Sequence, residues 1–389
     1  MSSFLRVCSK DDVARLTENV VDAQAGNDKM ETMAETKLLN FNLEKSCYLV
    51  LGKKRAKEDI QNQMELSPIS LCGQPTKQET CAKYLGDWIS DAGLKESVRV
   101  TITKRLGLVN VSIYEIRAII DDCRSMLVGG LSAGINIWET SIIPRLLYNS
   151  ECWQEISKAA IQQLENVQLK FLRVLLAVGS GCPIPALYWD TGMLQMKYRI
   201  LKTKLLFLHH LENLEEGSLA KEVLQVQKDK QFPGIYDDCQ LFLTELGISD
   251  VKSFLKYQWK KIVNKMIQES NRRDIIERIK SYKKLNFEDY EKQEFCLQPY
   301  MKTLDVSKAR LNFKIRSKMT PTVKMNFKND PTFKRQLWAC DGCGTEKDTQ
   351  LHVISCTAYE DLRSDLDLNN ENDLVNYFSS VIKRRVECA

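Results

Sequence analysis

The hydrophobic pattern changes period once along the chain. Over residues 1–90 the apolar positions fall in short runs broken by turn formers. Lys45-Ser-Cys-Tyr-Leu-Val-Leu-Gly52 reads as a strand ended by glycine. Ile69–Cys72 and Thr80–Leu85 read as the strands of a hairpin, with Gly73-Gln-Pro75 as the turn. Between Asn27 and Leu39, Met30, Met33 and Leu38 recur at helical spacing and predict a short helix. Residues 53–63 are charged and read as a loop or a frayed helix. From Ser97 the period becomes 3.6. Val98–Cys123 reads as helix, and so does Ile161–Val178, where Leu164, Val167, Phe171, Val174 and Val178 step by three and four. Cys182-Pro-Ile-Pro185 interrupts it. A further stripe, Met193, Met196, Ile200, Phe207 and Leu211, marks a helix over Thr191–Leu214. These stripes predict a helix-bundle core.

The expected fold is therefore α+β and predominantly α. A strand cluster occupies 1–90 and a helical bundle 91–250. A basic helical connector comes next, over 251–338, and then a Cys/His segment with a helical tail (Leu374, Tyr377, Phe378, Val381) over 339–389. Phe232-Pro-Gly234 marks one candidate boundary and Thr320-Pro321 to Pro331 a loop. A chain of 389 residues suits two or three domains. No run approaches the roughly 18 apolar residues of a membrane span, so no membrane partner is expected. The first residues, Met1-Ser-Ser-Phe-Leu-Arg-Val, lack a signal-peptide core. The thirteen scattered cysteines then read as reduced thiols of an intracellular protein, cytoplasmic or nuclear.

The net charge of +5 conceals an uneven distribution. Residues 251–338 hold 22 Lys and Arg against nine Asp and Glu, whereas 339–389 hold five against ten. A basic segment of this kind suits a polyanion, RNA or DNA being the obvious one. Lys314, Arg316, Lys318, Lys324 and Lys328 are the candidate phosphate contacts, with Phe313 and Phe327 among them. The bland reading is a set of solvated helix faces, with Phe313 in the core.

Just past the basic segment stands Cys340-Asp-Gly-Cys343, with His352 and Cys356 further on. Four thiol and imidazole donors at this spacing match a tetrahedral Zn²⁺ site. Gly342 and Gly344 are placed where a tight knuckle needs positive φ. His352 and Cys356, four apart, share a face if helical, and Asp348 or Thr349 could cap that helix. His209 and His210 have no such partners and read as a helix-surface pair. Asp121-Asp122 and Asp237-Asp238 read as surface pairs too.

A third acidic pair, Asp11-Asp12, gains weight from the residues downstream of it. Asp-Asp-Val-Ala precedes a helix, then Leu39-Asn-Phe-Asn-Leu-Glu-Lys45-Ser, then Lys83-Tyr-Leu-Gly86. This order resembles the second half of the palm of reverse transcriptases from non-LTR (LINE-type) retrotransposons. Trp138-Glu-Thr-Ser-Ile-Ile-Pro-Arg-Leu-Leu-Tyr148 with Glu151-Cys-Trp153 resembles the thumb region of those elements. Ala309–Arg316, Asn326–Lys328 and the Cys/His motif ending in Tyr359–Arg363 resemble their C-terminal segment. The resemblance implies that Asp11 and Asp12 are two of three catalytic carboxylates. It also implies a primer-grip hairpin touching nucleic acid through Lys83, Tyr84 and Gly86, and a thumb-like bundle over 91–250. A full-length parent would be an RNA-directed DNA polymerase using Mg²⁺.

The departures from that pattern matter. Ser9 and Lys10 stand where the family has an aromatic residue and usually Ala, and a lysine beside the pair would partly neutralise metal-binding carboxylates. No strand-length run precedes Asp11 to seat it. The fingers, the first palm half and its third aspartate have no counterpart in this sequence. The chain is thus expected to be an N-terminally truncated, catalytically inactive remnant. Mg²⁺ is expected only in the parent, zinc in the knuckle, and no small-molecule substrate. Residues 1–90 are expected to be the least stable part. The alternative is a zinc-stabilised protein-interaction module or a non-functional relic.

Overall fold

The computed structural model describes residues 5–8, 13–122, 128–282, 285–320 and 339–387. Among them the chain is mostly helical, with short two-stranded pairings, an α+β arrangement dominated by α. No helix is long and apolar enough to cross a membrane. None of the cysteines whose side chains are described forms a disulfide. The chain divides into two compact, interrupted units. The first comprises 1–106, 147–161 and 207–251, and the second 107–146, 162–206 and 252–389.

In the first unit, Leu5–Cys8 pairs antiparallel with Val13–Leu16. A strand thus does precede the aspartate pair, contrary to the sequence expectation; its four residues are too few to show as an apolar run. The helix expected from Asn27 begins at Val20, because the Asn19 carboxamide accepts the Asp22 N–H at 2.8 Å and caps it. Lys54–Leu66, expected as loop or frayed helix, is helical throughout. Its Ile60 and Met64 pack with Val20, Val50 and Ile69. Two apolar anchors on one face hold a helix that propensity alone leaves marginal. The strand expected over Lys45–Gly52 contracts to Cys47–Tyr48, paired in parallel with Lys77–Gln78.

The predicted hairpin is two hairpins. Ser70–Leu71 turns back on Gln74–Pro75 through Cys72 and Gly73, with φ of 53° and 71°. Cys81–Tyr84 turns back on Asp87–Ser90 through Leu85 and Gly86, with φ of 47° and 87°. Two consecutive left-handed residues make the two-residue turn that matches strand twist. Its usual signature is Asn-Gly or Asp-Gly; here Cys-Gly and Leu-Gly take those positions. Arg105 secures the second hairpin. Its guanidinium donates to the Gly86 carbonyl (2.9 Å), the Asp87 carboxylate (2.6 Å) and the Tyr148 carbonyl (2.6 Å).

In the second unit the apolar stripes form the core as expected. Leu164, Phe171, Met193, Met196 and Ile200 are buried. Trp138 lies flat on Phe171, ring centroids 4.2 Å apart. Trp138–Ile142 winds as a π-turn immediately before Ile143–Leu146. Pro144 supplies the reason: its ring clashes with the carbonyl four residues earlier, and widening the turn relieves it. Asp190, buried at the end of the Ile184–Thr191 helix, gathers Tyr300 Oη (2.8 Å) and Arg316 Nε (2.9 Å). Asp121, expected at the surface, is half-buried and accepts from Arg310 Nη1 at 2.5 Å.

Candidate metal centre

An antiparallel bridge between Ala339 and Lys347 closes the segment that carries the first two cysteines. Inside it the Cys340 N–H donates to the Glu346 carbonyl (2.7 Å) and the Gly344 N–H to the Cys340 carbonyl (2.8 Å). Gly344 has φ +66°, the conformation expected of it. Gly342 does not, and is small for another reason. A Cβ there would sit 2.7 Å from Cζ of Tyr359. The second glycine makes room for a ring, not for a turn.

Thr349 caps the Gln350–Ser355 helix, its hydroxyl accepting the His352 N–H at 3.1 Å. The helix stops at Ser355, and Cys356 is extended (φ −61°, ψ 127°). His352 and Cys356 therefore do not share a helical face as the spacing suggests; Cys356 lies just beyond the helix. Cys340 Sγ and Cys356 Sγ stand 3.9 Å apart, Cys343 Sγ and His352 Nε2 3.4 Å apart, and all four donor atoms lie within 4.8 Å of one another. A tetrahedron with ~2.3 Å metal–sulfur and ~2.05 Å metal–nitrogen bonds has edges of about 3.8 and 3.6 Å. The four donor atoms are gathered closely enough to converge on one ion and could hold a metal. All four positions are filled by protein, which suits a structural ion and leaves no place for a reacting water.

A ring of partners that sequence reasoning misses surrounds the donors. Glu346 Oε2 lies 3.0 Å from His352 Nδ1, fixing which imidazole nitrogen faces the thiolates. Arg385, on the Glu371–Glu387 helix, grips both oxygens of the fully buried Asp348 at 2.9 and 2.7 Å. The same guanidinium donates to Tyr359 Oη (3.0 Å) and reaches Cys340 Sγ (3.8 Å). Asp348 is thus the clamp's anchor, not the helix cap. The two thiols at the extremes differ. The Thr345 hydroxyl, then the backbone N–H groups of Glu346 and Thr345, pull Cys343 down to about 6. Burial, opposed by the Ala358 N–H, pushes Cys356 up to about 11. Local hydrogen bonds thus favour the thiolate at Cys343, and burial disfavours it at Cys356.

The closing helix adds Val375, Tyr377, Phe378 and Val381 to a shared core with Cys340, Cys356 and Ile315. Tyr377 Oη donates to the Val353 carbonyl at 2.5 Å. Ile315 belongs to the Val306–Arg316 helix, so this segment also carries Lys314 and Arg316 up to the metal centre, with Lys318 just beyond.

The other sequence candidates divide. Arg316 is committed to Asp190, with Gln293 and Glu371 as further acceptors, and is 17% exposed. Lys314 is half-buried, whereas Lys318 is exposed. Phe313 is fully buried, as its bland reading has it. Lys83 is exposed on the hairpin of the first unit, beside Tyr84 and Gly86. Asp11, Asp12, Lys324, Lys328 and Phe327 lie outside the described residues. His209, expected at the surface, is buried at 7% exposure, while His210 is exposed. His209 stands four residues after the fully buried Leu205, on the same helix face. No protein-family model matches the chain, and neither does any curated protein or solved structure.

Proposed function

We propose that this chain is a C-terminal part of a non-LTR retrotransposon reverse transcriptase, retained as a zinc-bound module that contacts RNA or DNA. The carrying observation is the convergence of the Cys340, Cys343, His352 and Cys356 donor atoms, all within 4.8 Å of one another. Three thiolates and an imidazole are soft donors that select zinc over the hard cations. The order of the sequence motifs supports the family reading, and the tight Lys83–Gly86 hairpin is compatible with it. Nucleic-acid contact is supported by the outer face of the Lys256–Ser281 helix. There Lys256, Lys260, Lys261 and Lys265 are exposed around Tyr257, itself 68% exposed. Cations track phosphates, and an aromatic face stacks on a base. Binding, not polymerisation, is assigned to these residues. Asp11 and Asp12 sit beside Lys10, whose charge opposes Mg²⁺.

The test is zinc content together with RNA binding across a salt series, on the native chain and on Cys343→Ser. One zinc per chain, with binding that falls steeply with salt and weakens in the variant, supports the reading. Zinc without RNA binding moves it to a protein-interaction module. Absence of zinc removes its foundation.

A further inference from the structure

The second unit holds a recess of about 380 Å³ that the metal centre does not use. Its walls come from two helices, each offering a pair three residues apart. Tyr114 and Arg117 come from the Leu94–Asp122 helix, Lys170 and Arg173 from the Lys158–Leu175 helix. Residues three apart share a helix face, so the pairs look across the recess at each other. Val174, Ala177 and Val178 form an apolar floor.

Three cations line this space, and their existing partners are uneven. Arg117 Nε is bonded to the Asp121 carboxylate at 3.0 Å. Lys170 Nζ donates only to the neutral Asn110 carboxamide (2.8 Å) and rests over the Tyr114 ring (4.9 Å). The half-buried Arg173 side chain has no hydrogen bond or ion pair among the described residues, and its Nε is buried without a partner. A buried N–H left without an acceptor is costly. The floor does not supply the missing acceptor either. The Arg173, Leu172 and Val174 carbonyls take the N–H groups of Val178, Leu176 and Ala177. The Leu175 carbonyl takes Arg310 Nε at 2.8 Å.

We propose that this recess binds a small phosphate-bearing ligand. Arg173 would give the fork-like contact, Lys170 a second charge and Arg117 a shared one, with the apolar floor and the Tyr114 edge taking the organic part. The volume suits one such molecule, and guanidinium is the group whose geometry matches phosphate oxygens. The inference is independent of the zinc reading, since no residue is common to both sites.

Calorimetric titration of the whole protein with pyrophosphate and with ADP tests it. Arg173→Met should lose roughly tenfold to a hundredfold in affinity, the worth of a charged hydrogen bond. Arg117→Met, at a more exposed position, should lose less. Should Arg173→Met fail to fold, Lys170→Met carries the same expectation. Stronger binding of ADP than of pyrophosphate assigns an organic phosphate, and the reverse an inorganic one. Equal binding by native and Arg173→Met protein overturns the proposal. So does a response to single-stranded oligonucleotide with none to either small probe.

Discussion

Arg385 and Asp348 form a two-pronged ion pair, at 2.9 and 2.7 Å, that joins the last described helix to the residue preceding the Thr349 cap. Asp348 is fully buried and Arg385 nearly so. Removing one partner of such a pair leaves a charge stranded in a poor solvent. Arg385→Met should therefore cost about 3 kcal/mol of stability. It should also weaken zinc retention by roughly tenfold to a hundredfold, as loss of an outer partner does. Competition with a chromophoric chelator reads the second effect. Arg384→Met is the internal control. Its pair with Asp361 is exposed, and its loss should leave stability close to that of the native chain.

The two knuckle glycines should respond differently. Gly344→Ala forces a side chain into left-handed backbone and should cost about 1–2 kcal/mol whatever its surroundings. Gly342→Ala meets the Tyr359 ring and should cost about 1–3 kcal/mol. Combined with Tyr359→Leu, the Gly342→Ala penalty should shrink and the Gly344→Ala penalty should not. Thermal melts of these variants complete the cycle, and equal penalties in both backgrounds would refute the steric account.

Glu165 predicts a pH dependence. Burial raises its carboxyl above the ordinary value, against the opposing Met196 N–H, which it accepts at 2.8 Å. The folded chain thus holds a proton more tightly than the unfolded one. Between the unfolded value, about 4.3, and the raised folded value, the native state binds more protons. Stability contributed by this group is full below that window and is lost as pH rises through it. Glu165→Gln, which keeps an acceptor for the Met196 N–H, should flatten this part of the stability–pH curve. Urea midpoints across the mildly acidic to neutral range read it, and an unchanged slope counts against the assignment.

Arg105 should govern the Cys81–Ser90 hairpin. Arg105→Met strands the Asp87 carboxylate, which burial already raises, and frees the Gly86 and Tyr148 carbonyls. Limited proteolysis should then cut first near Leu85 and Gly86. The stability cost should be about 3 kcal/mol. Cleavage that starts elsewhere at an unchanged rate would show that the turn stands by itself.

The metal centre is legible in the sequence because its four donors lie within a short stretch, so local spacing carries most of the geometry. Its outer partners are not. Arg385 reaches Cys340 and Asp348 only because the closing helix folds back, and no local pattern encodes that return. The helical core is legible from its period, as Leu164 and Phe171 illustrate. The hairpin strands are legible in part, but their separate two-residue turns are not, because Leu85 and Cys72 adopt positive φ without being Asn or Asp. Arg316 resembles a surface cation in the sequence, yet Asp190, far away along the chain, holds it. Lys54–Leu66 hides its helix because only Ile60 and Met64 give it a buried face.

Chain growth delivers the four metal ligands ahead of the helix that covers them. At roughly 5–20 residues per second, a few seconds separate the emergence of Cys356 from that of Arg385. During that interval a metal ion would meet a site not yet covered by the closing helix. Afterwards its escape waits on the closing helix lifting away, a local-unfolding event on its own clock. If the proposed zinc site is filled, its occupancy would then record how much metal was at hand while the protein was being made, so a labelled-zinc pulse given during synthesis should be retained and one given afterwards largely excluded.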